Sequence, residues 1–160
     1  MIDVNIMPLA RLMGIRLLEQ TPDRVVAEME VREDLCTTNS ILHGGAFMAF
    51  ADTVGAVATV LNLPKGAGTT TVESKTNFLS GIKAGEVARA ECTPVHKGRT
   101  TQVWTTRILR PDGKLAAGEL VAFADAWEHQ CRREAQLAAR LVREGVDSAP
   151  ETALRLLFTF

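Results

Sequence analysis

From Gly44 to Pro64 the chain carries a single charged residue, Asp52. Ala, Val, Phe, Met and Leu fill most of the stretch, with no polar stripe at helical spacing. A helix that is apolar all round belongs in an interior. That demand constrains the fold more than any other feature, because the rest of the chain must supply the surfaces that cover it. It also isolates Asp52. An ionised, unpaired carboxylate is costly in apolar surroundings, so Asp52 is the first candidate for chemistry.

The segments around this helix read mainly as strands. Pro8 opens a short helix over Met7–Met13 that stops at Gly14. Ile15–Glu19 and Arg24–Val31 are strand-like, with Thr21-Pro22-Asp23 as the turn between them. Asp34–Leu42 has no period and is rich in Thr, Asn and Ser, which predicts a loop. The apolar helix follows from about Gly44 to Asn62, ended by Pro64, Gly66 and Gly68. Thr69–Phe78 alternates, with Thr71, Glu73, Lys75 and Asn77 on one face and Val72, Ser74, Thr76 and Phe78 on the other. Glu86–Val95, Thr100–Leu109 and Leu115–Ala126 are three further strands. Lys97-Gly98-Arg99 and Pro111-Asp112-Gly113 read as hairpin links between them.

One long helix among six strands excludes βαβ repeats, so the class is α+β with a mostly antiparallel sheet. A curved sheet wrapped around the buried helix meets the burial demand, and this arrangement is the hotdog fold. That domain spans residues 1–127. Residues 128–160 shift to Arg, Glu, Gln, Ala and Leu and are expected to form a C-terminal helical extension, a packing element or an oligomer contact.

Several function classes are excluded on composition. The formal net charge of −1 gives no field to hold nucleic acid. Arg132, Arg133, Arg140 and Arg143 in the extension are offset by Glu128, Glu134 and Glu144. The Gly44–Leu63 run has the length of a membrane span, yet a carboxylate near its middle argues against one. Cys36, Cys92 and Cys131 are odd in number and scattered, which fits a reducing compartment. With no signal peptide in view, the expected location is cytoplasmic. Three scattered histidines and no cysteine pair give no metal site. Phosphate-binding loops, dinucleotide fingerprints and serine nucleophile elbows are absent, so no cofactor is expected.

The chemistry-bearing motif is His43-Gly44-Gly45, where loop becomes helix. The first N–H groups of a helix lack internal partners and carry partial positive charge. Glycines there let a carbonyl oxygen approach the backbone, which makes a plausible oxyanion hole. Their bland reading is tight packing at a corner. His43 would fix the loop or touch a ligand rather than transfer protons. The bland reading of Asp52 is a carboxylate bonded to Thr53 or Thr59. Eight residues of helix separate Gly44 from Asp52, a rise of about 12 Å. One helix therefore cannot bring both to one reacting carbon. A second copy running antiparallel could, so a shared site would lie between subunits and occur twice per dimer.

His-Gly-Gly with an acid nine residues after the His, in an Ala-rich helix, resembles the PaaI-like branch of the hotdog acyl-CoA thioesterases. Asn77-Phe78-Leu79-Ser80-Gly81, the segment Pro94 to Trp104 and Gly113 to Gly118 are similar to later parts of that family. The likeness covers roughly residues 8–126. It implies hydrolysis of an aryl- or medium-chain acyl-CoA to free acid and CoA, with CoA as part of the substrate and no separate cofactor. Asp52 matches the catalytic acid, as nucleophile or general base. Gly44, beside Gly45, matches the donor that polarises the carbonyl from the other subunit. Thr71 matches a hydroxyl on the third strand. The family's polar amide stands six residues before the His. Here that position is Thr37, and the amide is at Asn39. Lys97, Gly98 and Arg99, with Lys83, would meet the CoA phosphates. The implied partner is self, as a homodimer or a dimer of dimers. The alternatives are a non-catalytic acyl-CoA-binding hotdog protein and a hotdog hydratase or dehydratase.

Overall fold

The computed structural model describes residues 1–125. The expected 128–160 extension, with its four arginines, and Ala126 and Cys131 lie outside the described residues.

Pro8 and Gly14 bracket α1 (Pro8–Met13), and Gly14 takes the left-handed cap conformation at φ 72°. β1 (Arg16–Thr21) and β2 (Arg24–Glu30) form an antiparallel hairpin. The segment expected as loop contains two short strands, β3 (Cys36–Thr37) and β4 (Ile41–Leu42), paired with each other. Two-residue strands leave no periodic trace, so sequence alone misses them. α2 (Gly44–Val60) comes next. It is followed by β5 (Thr69–Phe78), β6 (Val87–Lys97), β7 (Thr101–Leu109) and β8 (Leu115–Asp125).

The six long strands form one antiparallel sheet in the order β1-β2-β6-β7-β8-β5. The expected hairpins β6–β7 and β7–β8 are adjacent, while β5 crosses over to the far edge beside β8. α2 packs on this sheet. Phe47, Phe50, Val54 and Val57 of the helix join Val25 and Met29 of β2, Trp104 and Ile108 of β7, and Val121 and Phe123 of β8 in one core. This is the α+β, one-helix-on-a-sheet arrangement that the apolar helix requires.

Burial of α2 is one-sided, which corrects the expectation of a helix covered all round. Gly45, Met48 and Val60 are exposed, and Ala49, Asp52, Thr53 and Ala56 are half-buried. Their spacing of three and four residues marks a single stripe. A one-layer sheet reaches only one face of a helix, so this stripe stays open among the described residues. On the covered side the fit is close: a Cβ added at Gly55 would stand 3.0 Å from the Phe123 ring. Gly55→Leu should therefore lower stability by about 1–3 kcal/mol through overpacking. The check is the urea midpoint of the variant. An unchanged midpoint would mean that α2 does not rest on β8 at this position.

Candidate active site

β5 begins with Thr69-Thr70-Thr71, and alternation alone would turn Thr71 to the face shared with Glu73 and Lys75. The strand contains a β-bulge instead. Thr71 pairs with Phe123 and Glu73 with Ala122 of β8, so Val72 is the extra residue. Ser74 pairs with the buried Val121 and Thr76 with the buried Glu119. The bulge thus places Thr71 on the same inward face as Ser74 and Thr76, which corrects the alternation read from the sequence.

This placement brings Thr71 to Asp52. The Thr71 hydroxyl donates to Asp52 Oδ1 at 2.8 Å. Asp52 lies on the open stripe of α2 and is half-buried, not enclosed. Neither Thr53 nor Thr59 holds it. Their hydroxyls donate to helix carbonyls one turn back, those of Ala49 and Gly55.

At the start of α2, His43 is the N-cap, with extended backbone (φ −65°, ψ 141°). Its Nδ1 accepts the Gly45 N–H at 2.9 Å. Its carbonyl accepts from the N–H groups of Ala46 and Phe47. The side chain therefore spends itself on the helix, as its fixing role anticipated. Gly45 has a clear reason for lacking a side chain: a Cβ there would stand 3.1 Å from His43 Nδ1. The remaining first-turn donor, the Gly44 N–H, finds no acceptor among the described residues. The Phe78 ring lies over Gly44, 3.4 Å from where a Cβ would be, and meets Phe47 edge-on at 5.9 Å.

The loop before the motif runs beside residues 82–84. Leu42 N–H donates to the Ile82 carbonyl, Ala84 N–H to that of Ser40, and Ile41 bridges to Lys83. Thr37 and Asn39 are both exposed here. Asn39 (φ 64°) and Ser40 (φ 52°) take left-handed backbone, which Asn tolerates better than Ser. Lys83 therefore belongs to the N-terminal end of α2.

Lys97, Gly98 and Arg99 sit at the opposite end. The Lys97 ammonium is bonded to the Asp23 carboxylate and to the Pro22 carbonyl in the β1–β2 turn. It is already partnered, unlike the free cation that the sequence suggested. Gly98 answers to its own turn, since a Cβ would stand 2.8 Å from the Thr101 carbonyl oxygen. Arg99 is exposed and lines a narrow crevice with Thr59 and Leu63 at the end of α2. Within one chain, then, the anticipated residues form three groups along a helix roughly 25 Å long. They are the Gly44 donor with Lys83, the Asp52–Thr71 pair in the middle, and the Arg99 hairpin.

Sequence reading passed over one acid. Glu119 of β8 is only 2% exposed. Its carboxyl oxygens accept from the Ser74 and Thr76 hydroxyls, both at 2.7 Å. Burial pushes its proton affinity up, the two hydroxyl donors oppose that shift, and nearby Asp52 adds to it. The signal was present in the alternation of β8, which puts Glu119 on the apolar face between Ala117 and Val121. Among the described residues, no cluster of three or more His, Cys, Asp or Glu could hold a metal ion. None of their helices is long and apolar enough to cross a membrane.

A sequence profile described as "Thioesterase superfamily" matches residues 39–117. The proofreading thioesterase EntH of Cronobacter turicensis is 30% identical over 102 residues, which is 64% of this chain and 74% of that protein. Among solved structures, a mutant of thioesterase PA1618 from Pseudomonas aeruginosa is 28% identical with a TM-score of 0.71. The match covers 76% of this chain and 89% of that one. Thioesterase HI1161 from Haemophilus influenzae is 28% identical with a TM-score of 0.68, over 72% of this chain and 80% of its own. Sequence and fold agree over the stretch that holds the glycine corner, α2 and β5, and the chain belongs to the thioesterase superfamily, as a thioester hydrolase on the hotdog fold.

Proposed function

We propose that two copies of this chain build each active site together and there hydrolyse an aryl- or medium-chain acyl-CoA to the free acid and CoA. One observation carries the reading: the Thr71 hydroxyl holds Asp52 on the side of α2 that the described residues leave open. The exposed apolar residues Val72, Phe78 and Leu79 on and just after β5, with Met48 on α2, give a second copy apolar surface to cover. An antiparallel partner helix would set its Gly44 N–H opposite this Asp52, closing the gap of about 12 Å that one chain cannot close.

In that site the Gly44 N–H would receive the thioester oxygen as negative charge develops on it. The Asp52 carboxylate would deliver the attack, on the carbonyl carbon itself or by taking a proton from water. On the first route the C–S bond breaks to leave a mixed anhydride that water then cleaves, and on the second the water oxygen itself replaces sulfur. On either route the hydroxyl of water ends on the acyl carbon and its proton on the CoA sulfur. Thr71 keeps one carboxylate oxygen fixed and leaves the other for the reaction. The same antiparallel arrangement would bring Lys83 of one copy toward the Arg99 end of the other, with cations at the mouth for the CoA phosphates. Arg99 is the stronger phosphate candidate, because Lys97 is already paired.

Asp52→Asn should keep the fold and CoA binding while lowering kcat about a hundredfold or more. Near-normal turnover in that variant sinks the role given to Asp52. Gly44→Pro removes the N–H in question and sets the proline ring against Phe78; the backbone accepts it, because proline is favoured at the first helical position and His43 already has the extended backbone that must precede it. Each variant alone should be nearly inactive. Random hybrids of the two should recover about a quarter of wild-type activity, since one site of each mixed dimer is intact. No recovery would place both groups in one chain or neither in the site. Arg99→Ala should raise KM for acyl-CoA more than Lys97→Ala does, with kcat little changed, in steady-state assays.

A further inference from the structure

Glu119 has no role in the reading above, yet it is the acid that the fold buries most completely among the described residues. It faces α2 from β8. Its register partners are Thr76 on β5 and Thr106 on β7. The titratable groups around it are Asp52 on α2 and the Cys92 thiol on β6. No Lys or Arg is bonded to it among the described residues. A buried carboxylate without a cation is unfavourable, so burial favours the protonated form over the ordinary carboxylate.

Its two hydrogen bonds fall at a telling place. Ser74 and Thr76 are alternate residues of β5, starting two positions after the bulge at Val72. One carboxyl therefore clamps the strand immediately beyond the irregularity that turns Thr71 inward. Among the described residues β5 is an edge strand with β8 as its one sheet neighbour, so β8 holds that register. We infer that Glu119 is a positioning residue for Asp52: by gripping Ser74 and Thr76 it fixes the bulge, and through the bulge the Thr71 hydroxyl that orients Asp52.

The inference rests on Asp52 being the working acid. It also implies a limit at high pH. Ionised Glu119 would put a second negative charge near Asp52, in surroundings of low dielectric, and would oppose the negative charge that develops on the thioester oxygen. Activity should therefore fall as pH rises through the raised ionisation of Glu119. Cys92 does not share that limb, since burial pushes its thiol up to about 11.

The test is the pH profile of kcat/KM over roughly pH 5 to 9.5 for wild type and Glu119→Gln, which keeps the shape and cannot ionise. Wild type should fall by about tenfold per pH unit on the alkaline limb. Glu119→Gln should lose that limb and keep the acid limb in place. An alkaline limb unchanged in Glu119→Gln overturns the inference. So does a loss of activity that is uniform across pH, which would mark Glu119 as purely structural. Ser74→Ala provides a second route if Glu119→Gln fails to fold. Removing a donor to the ionised carboxylate makes ionisation harder, so its alkaline limb should move to higher pH, and an unmoved limb counts against the inference.

Thermal unfolding adds a readout independent of activity. The folded-state proton affinity of Glu119 is raised. Its contribution to stability is thus fully present below the ordinary carboxylate pKa and declines as pH rises toward the folded value. The stability of wild type relative to Glu119→Gln should fall over that range, and a constant difference would contradict it. Near-normal turnover in Asp52→Asn would overturn the function proposed above, whatever Glu119→Gln shows.

Discussion

The hydrogen bond between Thr71 and Asp52 joins the long helix to an edge strand, and it exists because β5 carries one residue more than its partner. With regular alternation Thr71 would face away from α2, and the carboxylate would stand without it. The bulge at Val72 turns that hydroxyl inward while the strand beyond keeps its pairing with β8. Bulges recur beside active sites for this reason: one inserted residue re-aims a side chain at little cost to the sheet. The glycine corner, the open stripe on α2 and the buried acid on β8 all acquire their meaning from this contact.

Much of the layout was legible from residues alone. The apolar helix announced itself by having one charge, and its limits were close because His43 caps one end while Pro64 and two glycines follow the other. β5 was readable at its ends, because a turn rich in glycine precedes it and Gly81 follows it. What escaped was of three kinds. The bulge leaves no compositional mark, so the face of Thr71 was misassigned. Glu119 is invisible until the register shows which hydroxyls it meets, although alternation already placed it among apolar neighbours. Lys97 was read as a free cation because its partner Asp23 stands 74 positions earlier in the chain. Pairings across such separations belong to the fold and not to any local pattern. The reading of His43 fared better, since a helix start names its own donors and the nearest side chain can satisfy one of them.

The division of labour along α2 has a simple origin. A helix start supplies donors, a helix middle supplies a carboxylate on its side, and the turn past the helix end supplies a cation. The donor and the carboxylate are fixed on one rigid rod, and the β6–β7 turn holds Arg99 beside its far end. A substrate as long as acyl-CoA suits such spacing, with its reacting carbon and its phosphates set far apart. The two glycines also differ in kind. A side chain at Gly45 would crowd the imidazole folded over it, whereas one at Gly44 would meet the Phe78 ring.

The free rim of β5 has one more implication. Its outer edge lacks a sheet neighbour among the described residues, and Val72 and Leu79 are each 62% exposed along or just past it. Such a rim is a template for strand addition by any unfolded neighbour, and natural sheets usually blunt it with charge or proline. This chain does so only in part, through Glu73 and Lys75. Left uncovered, such a rim favours aggregation through strand pairing. Shelf life and expression yield of this protein should depend on how quickly that rim is occupied.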